Sequence, residues 1–468
     1  MTASRRLLWL HENFVSARQG GNSRATLGLA ALLEAGWQVD LICTTRSYLG
    51  ETYGKGVVGI EQEGGLRIHR LEPGKRPGRA HQYIHFCRTA LRYADTLPCP
   101  DLIFTSSPSL PQVAPALWLA SRHRLPLVLE VRDLWPAFLE QGGLVRASIL
   151  LSALRGLESL VYRRADQVIS VSPAFSPYLE AMGVPKNKLT TAPTGADPNL
   201  LKAEPVIRSR WRAQNQLEDA FLVLYAGSFN RSYGLELIEQ AMDASTESNI
   251  HWLLAGAGER EEEIQACAER NPNVHYLGLM PKNDLRAVLS AVDLGISTHA
   301  PWSLLETTIS GKLFDYLAAG LPVVNLAPGQ MAQIVQMSGA GWQSTRDSSD
   351  LLEHIVEAAA MTAGDRVAMG RKGQDWLRTH MHGSTSARQI AASVDRASKA
   401  QDRGIFDLGL CALGACKDLF SRLHRRSLRR LYGPEQREKT IRSALTSFLD
   451  SPLGEPAREL KVPELLSD

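Results

Sequence analysis

At 468 residues the chain is too long for one compact core and long enough for two domains. Hydrophobic residues at 44% and charged residues at 22% are ordinary for a folded globular protein and exclude wholesale disorder. Lys plus Arg number 52 against 49 Asp plus Glu, a net charge of +3, which gives no reason to expect nucleic acid as a partner. The six cysteines, Cys43, Cys87, Cys99, Cys267, Cys411 and Cys416, are scattered without a CxxC pair. That argues against a zinc site and a disulfide framework, and suits a reducing cytosol.

In the opening stretch "MTASRRLLWLHENF" the apolar run is too short for a signal peptide, so it reads as a first strand, "RLLWL" (6–10). No segment approaches the ~18 apolar residues of a membrane span, and the expectation is a soluble protein or one attached only at a membrane surface. Strand-like runs follow at "VDLIC" (39–43), "DLIFT" (101–105), "PLVLEV" (126–131) and "QVISV" (167–171). Helical stretches lie between them, such as "NSRATLGLAALLEAG", where Leu27, Ala30, Ala31 and Leu33 make one apolar face. Residues 198–220 are polar and charged and read as a linker. A second series then runs through "FLVLYAG" (221–227), "IHWLLAG" (250–256), "VHYLG" (274–278), "DLGIS" (293–297) and "LPVVN" (321–325). This alternation predicts an α/β protein with two doubly wound parallel-sheet domains, at 1–200 and 201–385, facing a cleft. Ligands in such folds bind outside the carboxyl ends of the strands, so the loops there are the places to search.

Several of these loops share one chemical style. After the first strand, Gly20 and Gly21 stand just ahead of a helix, where glycines let a ligand approach the backbone and free N–H groups favour an anion. For a bare Gly-Gly, a loop needing positive φ is the preferred explanation. In "YAGSFNRSYGLELI", Gly227 ends a strand and Arg231 follows as either a phosphate ligand or a solvated loop cation. "LAGAGEREEEI" offers Gly256 and Gly258 but lacks the third glycine of a dinucleotide fingerprint. In "ETTISGKLFDYLAAGLPVV" a helix begins near Ser310 and stops at Gly320 and Pro322. Ser310, Gly311 and Lys312 offer a hydroxyl, backbone donors and an ammonium at the positive helix end. Asp315, one turn on, is either a surface ion-pair partner for Lys312 or a ligand for sugar hydroxyls while Lys312 takes a diphosphate.

At this point the sequence resembles glycosyltransferase family 4, the large retaining GT-B group. "HWLLAGAGEREEEIQACAERNPNVHYLGLMPKNDLRAVLSAVDLGIST" is similar to that family's second domain, with its strand–GxGE turn, "NVxxLG" strand and "DLxxxLxxAD"-like helix. "FTSSPSLPQVAPALWLASRHRLPLVLEVRDLWPAFL" and "LVYRRADQVISVSPAFSPYLEAMGVPKNKLTTAPTGAD" resemble bacterial members that build exopolysaccharides, O-antigens and colanic acid. The resemblance runs over roughly residues 6 to 400. It implies two Rossmann-like domains and a helix at 386–400 returning to the first; residues 401–468 form a C-terminal extension beyond the usual family pattern. It also implies a nucleotide-diphosphate sugar, UDP- or GDP-linked, as co-substrate, retention of configuration and no essential metal.

By the same resemblance, Gly20 and Gly21 approach the diphosphate, Leu277 and Gly278 border the base, Lys312 and the amides around Gly311 take the phosphates, and Asp315 takes the ribose. Arg132 and Asp133 lie where the family often has a His-Asp pair contacting the transferred sugar. Relatives commonly carry two glutamates eight residues apart; here the second is Asp315 and the first position is Thr307, with Glu306 one place off. A common Arg–Lys pair corresponds to Ser228 and Tyr233, leaving Arg231 as the nearest cation. The catalytic set the resemblance implies is therefore Arg132, Asp133, Arg231 and Lys312.

Two stretches point toward a lipid-linked saccharide acceptor and an anionic membrane surface at the inner face of the cytoplasmic membrane. "KRPGRAHQYIHFCRTALRYADTL" (75–97) mixes basic and aromatic residues where relatives take up lipid carriers. In "GACKDLFSRLHRRSLRRLYG" a helix would put Leu413, Cys416, Phe420, Leu423 and Leu431 on one side. Arg422, Arg425, Arg426, Arg429 and Arg430 would share the other. A helix packed on the body with a solvated arginine face has the same pattern. The stretch from Glu435 to Asp468 reads as loosely structured. The function this predicts is retaining transfer to a lipid-linked saccharide. The competing readings are an inactive relative that binds a partner or membrane, and a sugar-nucleotide epimerase or hydrolase on the same architecture.

Overall fold

A computed structural model describes residues 5–15, 23–45, 58–75, 78–107, 110–143, 145, 148–196, 203–400, 437–450 and 460–463. Among them the first half forms an eight-stranded sheet of β1 (Arg5–Leu10), β2 (Trp37–Thr44), β3 (Gly59–Glu63), β4 (Leu66–Leu71), β5 (Leu102–Ser106), β6 (Leu127–Val131), β7 (Gln167–Ser170) and β8 (Leu189–Thr191). Its order is β3-β4-β2-β1-β5-β6-β7-β8, parallel except for the antiparallel β3–β4 pair. β5, β6 and β7 are buried along their whole length. That explains why they read as unbroken apolar runs rather than as alternating patterns. β3, β4 and β8 escape the sequence reading because they lie at or beside the sheet edges and carry charged and polar residues.

The second sheet contains β9 (Phe221–Ala226), β10 (Ile250–Ala255), β11 (Val274–Gly278), β12 (Leu294–Ser297), β13 (Val323–Asn325) and β14 (Gly341–Gln343), in the order β11-β10-β9-β12-β13-β14. Its pairings are all parallel. Both sheets place the ends of their central strands, β1, β5 and β6 in one and β9 and β12 in the other, as sites for loops.

The linker expected at 198–220 contains a helix, Pro205–Gln214. Its polarity comes from ion pairing. Arg212 donates to Asp293 Oδ2 at 2.5 Å and Arg208 to Asp293 Oδ1 at 2.6 Å, while the Leu222 amide donates to the same Oδ2 at 2.9 Å. A charged stretch thus becomes structure, because one buried carboxylate just before β12 gathers two guanidinium groups.

Helix Gly383–Lys399 crosses back to the first sheet, where Ala387, Ile390, Val394 and Ala397 join the core around β1 and β2. Asp395 accepts from Arg5 at 2.8 Å and from the Trp37 indole at 2.9 Å. This return covers helix Ser23–Glu34 on a second side, so Leu29 and Leu32 are buried along with Leu27, Ala30 and Ala31, and Leu33 only partly. The single apolar face expected of that helix is therefore too narrow, since its second cover comes from residues hundreds of positions away.

The basic tail segment, residues 411–431, lies outside the described residues. Within the stretch from Glu435 onward, expected to be loosely structured, the described residues include helix Arg437–Leu449, with Ile441 and Leu445 buried, and Leu460, which packs into the first domain's core. Isolated apolar residues in a polar background gave no signal until both domains were there to receive them. The 75–97 stretch forms helix Arg79–Ala94, which buries Phe86 and Ala90 and leaves Ile84 exposed.

Asp293→Ala leaves Arg208 and Arg212 without their carboxylate. It should cost about 3–5 kcal/mol in urea-unfolding free energy. A loss below about 1 kcal/mol would show that the pair is not holding the helix to the sheet.

Candidate functional site

The helix start at Gly311 is fixed by the packing of its own later turns. Helix Gly311–Ala319 buries Leu313, Phe314, Tyr316 and Leu317 and ends at Gly320, which takes the left-handed conformation at φ 72°. Tyr316 ties it to β9, accepting from the Ala226 amide at 2.8 Å and donating to the Leu224 carbonyl at 3.3 Å. The first turn therefore stands beside the end of β9. Ser310 caps it with extended backbone, but its side chain makes no capping hydrogen bond, so it does not satisfy the first-turn N–H groups.

Lys312 projects from that turn and is 7% exposed. Its Nζ donates to Tyr225 Oη at 3.1 Å and lies 3.4 Å from the centroid of the Tyr233 ring. Tyr225 Oη in turn donates to the Ser228 carbonyl at 2.9 Å. Burial pushes the Lys312 ammonium well below its usual range. Lys312 is thus no part of a surface pair with Asp315, one of the two arrangements the spacing allowed; Asp315 is itself only partly exposed. A Cβ on Gly227 would stand 2.5 Å from Lys312 Cε, so the glycine at the end of β9 makes room for the lysine stem.

The loop after β12 supplies the other wall. His299 is buried, its ring centroid 5.5 Å from that of Tyr233, and among the described residues its Nδ1 has no hydrogen-bond partner. Burial first, then the charges of Lys312 and Arg346, pull its pKa down to about 3. Arg346 donates to the His299 carbonyl. Farther along, Thr307 is buried and its Oγ1 donates to the Leu304 carbonyl at 2.6 Å, so the position where relatives carry an acid is turned onto backbone. Glu306 is partly buried beside it.

This same loop docks on the first domain. Ser172 Oγ donates to the Thr307 carbonyl at 2.6 Å and lies 3.1 Å from Gln330 Oε1. Gln141 holds Ser303 Oγ at 2.9 Å and the Leu304 amide at 2.8 Å, and Phe138 meets Trp302 edge-on at 5.6 Å. Residues 138 and 141 belong to the segment that leaves β6 through Arg132 and Asp133. The two sequence-derived groups of candidates therefore sit on loops that are bonded to one another.

At the end of β6, Arg132 Nη1 is 3.3 Å from His11 Nε2. Burial, reinforced by Arg132, lowers the His11 pKa to about 4, with Glu130 opposing. Asp133 is half-buried, and desolvation raises its pKa to about 6 against the pull of Arg132. Beneath them Arg24 and Glu130 form a buried pair at 2.8 Å, and Ser106 Oγ donates to Glu130 Oε2 at 2.8 Å. Sequence reasoning missed His11, Arg24, Glu130, Tyr225, His299 and Arg346. Glu130 alone carried a visible signal, a carboxylate inside the apolar run "PLVLEV", which a buried strand tolerates only when it is paired.

The remaining candidates divide. Gly20 and Gly21 lie outside the described residues. A Cβ on Gly256 would overlap the Gly227 carbonyl oxygen, and one on Gly258 would stand 2.7 Å from Phe229 C, so the neighbouring loop already demands glycine at both places. Gly278, at φ 70°, accepts from the Gly256 amide at 2.8 Å at the end of β11, with Leu277 partly buried next to it. Arg231 stands away from the buried cluster, with its side chain 79% exposed and its Nε 3.9 Å from Glu259 Oε1.

Comparison with known proteins bears on what such a site does. The family model for the glycosyl transferase 4-like domain matches residues 20–195, and that for glycosyl transferases group 1 matches residues 220–360. WcaL of Escherichia coli K12, named as a colanic acid biosynthesis glycosyltransferase, is 20% identical over 216 residues, 44% of this chain and 51% of its own. TuaH of Bacillus subtilis 168, named for teichuronic acid biosynthesis, is 20% identical over 199 residues, 42% of this chain and 49% of its own. The chain spans about half the length of the curated relatives it matches. HepE of Anabaena, solved in complex with UDP and glucose, shares the fold at a TM-score of 0.63 and 18% identity, over 83% of this chain and 99% of that one.

The buried histidines give the site a pH signature. An unfolded histidine takes a proton as pH falls through 6.5, whereas His299 in the folded protein stays neutral down to about 3, so it lowers stability as pH falls from 7 to 5. His299→Gln should therefore gain about 2 kcal/mol relative to wild type between pH 7 and pH 5 in denaturant titrations. Parallel curves would show that His299 takes up a proton in the folded state.

Proposed function

The chain belongs to the GT-B glycosyltransferases, with a 4-like first domain and a group 1 second domain, and on that premise we propose that it transfers a sugar from a nucleotide-diphosphate sugar to a saccharide acceptor with retained configuration. The acceptor in this reading is lipid-linked, the product belongs to a bacterial surface polysaccharide, and the work is done on the cytoplasmic side of the membrane. The observation that carries it is Lys312, a buried ammonium at an uncapped helix start beside the end of β9.

The chemistry follows from charge. As the bond from the sugar to the diphosphate breaks, negative charge grows on the leaving oxygens, and donors fixed in advance lower the barrier by meeting it there. Lys312 and the Gly311 and Lys312 amides are such donors, and an arriving diphosphate restores the proton affinity that burial takes from Lys312. No essential metal is needed in this reading, because those groups supply the compensating charge. Arg132 and Asp133, on the loop bonded to the 299–308 segment, face the transferred sugar and the acceptor. Since sugar and acceptor meet on the face the diphosphate leaves, positioning rather than a carboxylate nucleophile is the requirement. Arg231, exposed on the rim, is a first contact for the phosphates as they enter. HepE's bound UDP puts uridine first among the bases to test, ahead of guanosine.

A thermal-shift series with UDP, GDP, ADP, dTDP and CMP tests the reading. A ligand at 100 times its dissociation constant adds about 2.7 kcal/mol of stability, a shift of a few degrees. Stabilisation by one diphosphate, lost in Lys312→Ala, is the expected result. With the matching donor sugar, Lys312→Ala should slow transfer about a hundredfold or more while the fold persists. A protein indifferent to every nucleotide would instead favour a binding relative without transfer.

A further inference from the structure

Lys312 is held in place by groups that neither the sequence pattern nor the family match singles out. Resting on the donor reading above, we propose that Tyr225 and Tyr233, with the Ser228 carbonyl, form a seat that fixes the Lys312 ammonium before the donor arrives. They are positioning residues, which act on the diphosphate only through Lys312.

Four observations carry this. Tyr225 Oη gives its hydrogen to the Ser228 carbonyl at 2.9 Å, which turns an oxygen lone pair toward Lys312 Nζ at 3.1 Å. The Tyr233 ring lies with its centroid 3.4 Å from the same nitrogen, a cation–π contact that favours the charged form in a desolvated place. Gly227 leaves room for the lysine stem beside the end of β9, where a Cβ would stand 2.5 Å from Lys312 Cε. Tyr225 itself is buried, with the Phe229 ring stacked on it at 6.1 Å between centroids. An ammonium has three N–H donors. Tyr225 takes one, and at least one remains for a phosphate oxygen. A flexible lysine loses up to about 2 kcal/mol of rotamer freedom when ordered, and here that loss precedes binding.

The titratable groups around Lys312 come from each element packed on it. They are Tyr225 from β9, Tyr233 from the following turn, His299 from the loop after β12 with Arg346 behind it, and Asp315 and Tyr316 from its own helix. His299 is neutral across the working range, and burial raises the Tyr225 and Tyr316 hydroxyls above their usual range. Burial pushes Lys312 well below its usual range, so its own titration is the one to follow directly.

The test uses the whole chain with 13Cε-labelled lysine, following the Lys312 methylene by NMR through a pH titration, in parallel with UDP and GDP calorimetry. Tyr225→Phe keeps the ring but removes the acceptor. Its Lys312 midpoint should fall by about one unit, and the alkaline limb of nucleotide affinity should fall with it. Lys312→Met should lose nucleotide affinity about a hundredfold, and Tyr233→Leu, which removes the ring face against Nζ, should lower the Lys312 midpoint in the same direction as Tyr225→Phe. A Tyr225→Phe midpoint that matches wild type in a protein of equal melting temperature would overturn the seat, as would an unchanged Lys312 midpoint in Tyr233→Leu. If wild type binds neither UDP nor GDP, the donor reading fails, while the NMR midpoint still decides the seat.

Discussion

Burying an ammonium is costly unless something of opposite charge or suitable geometry meets it, and that cost organises the second domain's binding edge. Lys312 sits among two tyrosines and a neutral histidine, a lining that holds its position without neutralising it. The small residue at Gly227, the uncapped turn at Gly311 and the Tyr316 bridge to β9 all follow from bringing that one nitrogen to the strand end. A carboxylate in the same place would stabilise the resting protein and compete with the ligand. Tyrosine oxygens and rings do so far less, and they leave much of that ammonium's charge uncompensated.

The second constraint is the seam between domains. Ser172, Thr307 and Gln330 are all buried where the loops meet, and Gln330 Nε2 also donates to the Ile441 carbonyl at 3.1 Å. The helix Arg437–Leu449 thereby touches the two domains at the same point at which they touch each other. Buried hydrogen bonds of this kind favour one arrangement of the loops over slightly displaced ones, because each displacement strands a polar group. Arg132 and Asp133 share in that order because their loop leads directly into Phe138 and Gln141.

The longer strands of both sheets and the helix start at Ser310–Lys312 were legible in the sequence, since continuous apolar runs and a polar triplet before an apolar helix are compatible with few local structures. What was not legible depends on partners far away in the chain. Pro205–Gln214 looked like a linker because its arginines answer a carboxylate some eighty residues later. The family resemblance supplied a helix at 386–400 returning to the first domain, but the residues of helix Ser23–Glu34 themselves gave no hint that it would be their second cover. Lys312 had the spacing of a surface residue, and only packing against Tyr225 and Tyr233 reveals an interior one. Gly256 and Gly258 looked like ligand-approach glycines, but the backbone of the 227–229 loop already requires them.

The most direct measurement of the central claim is a crystal structure of the protein with UDP bound. The expected result places β-phosphate oxygens at hydrogen-bonding distance, about 2.7–3.2 Å, from Lys312 Nζ and the Gly311 amide, with Nζ still resting on Tyr225. UDP bound elsewhere, with Lys312 in contact only with the two tyrosines, would contradict it.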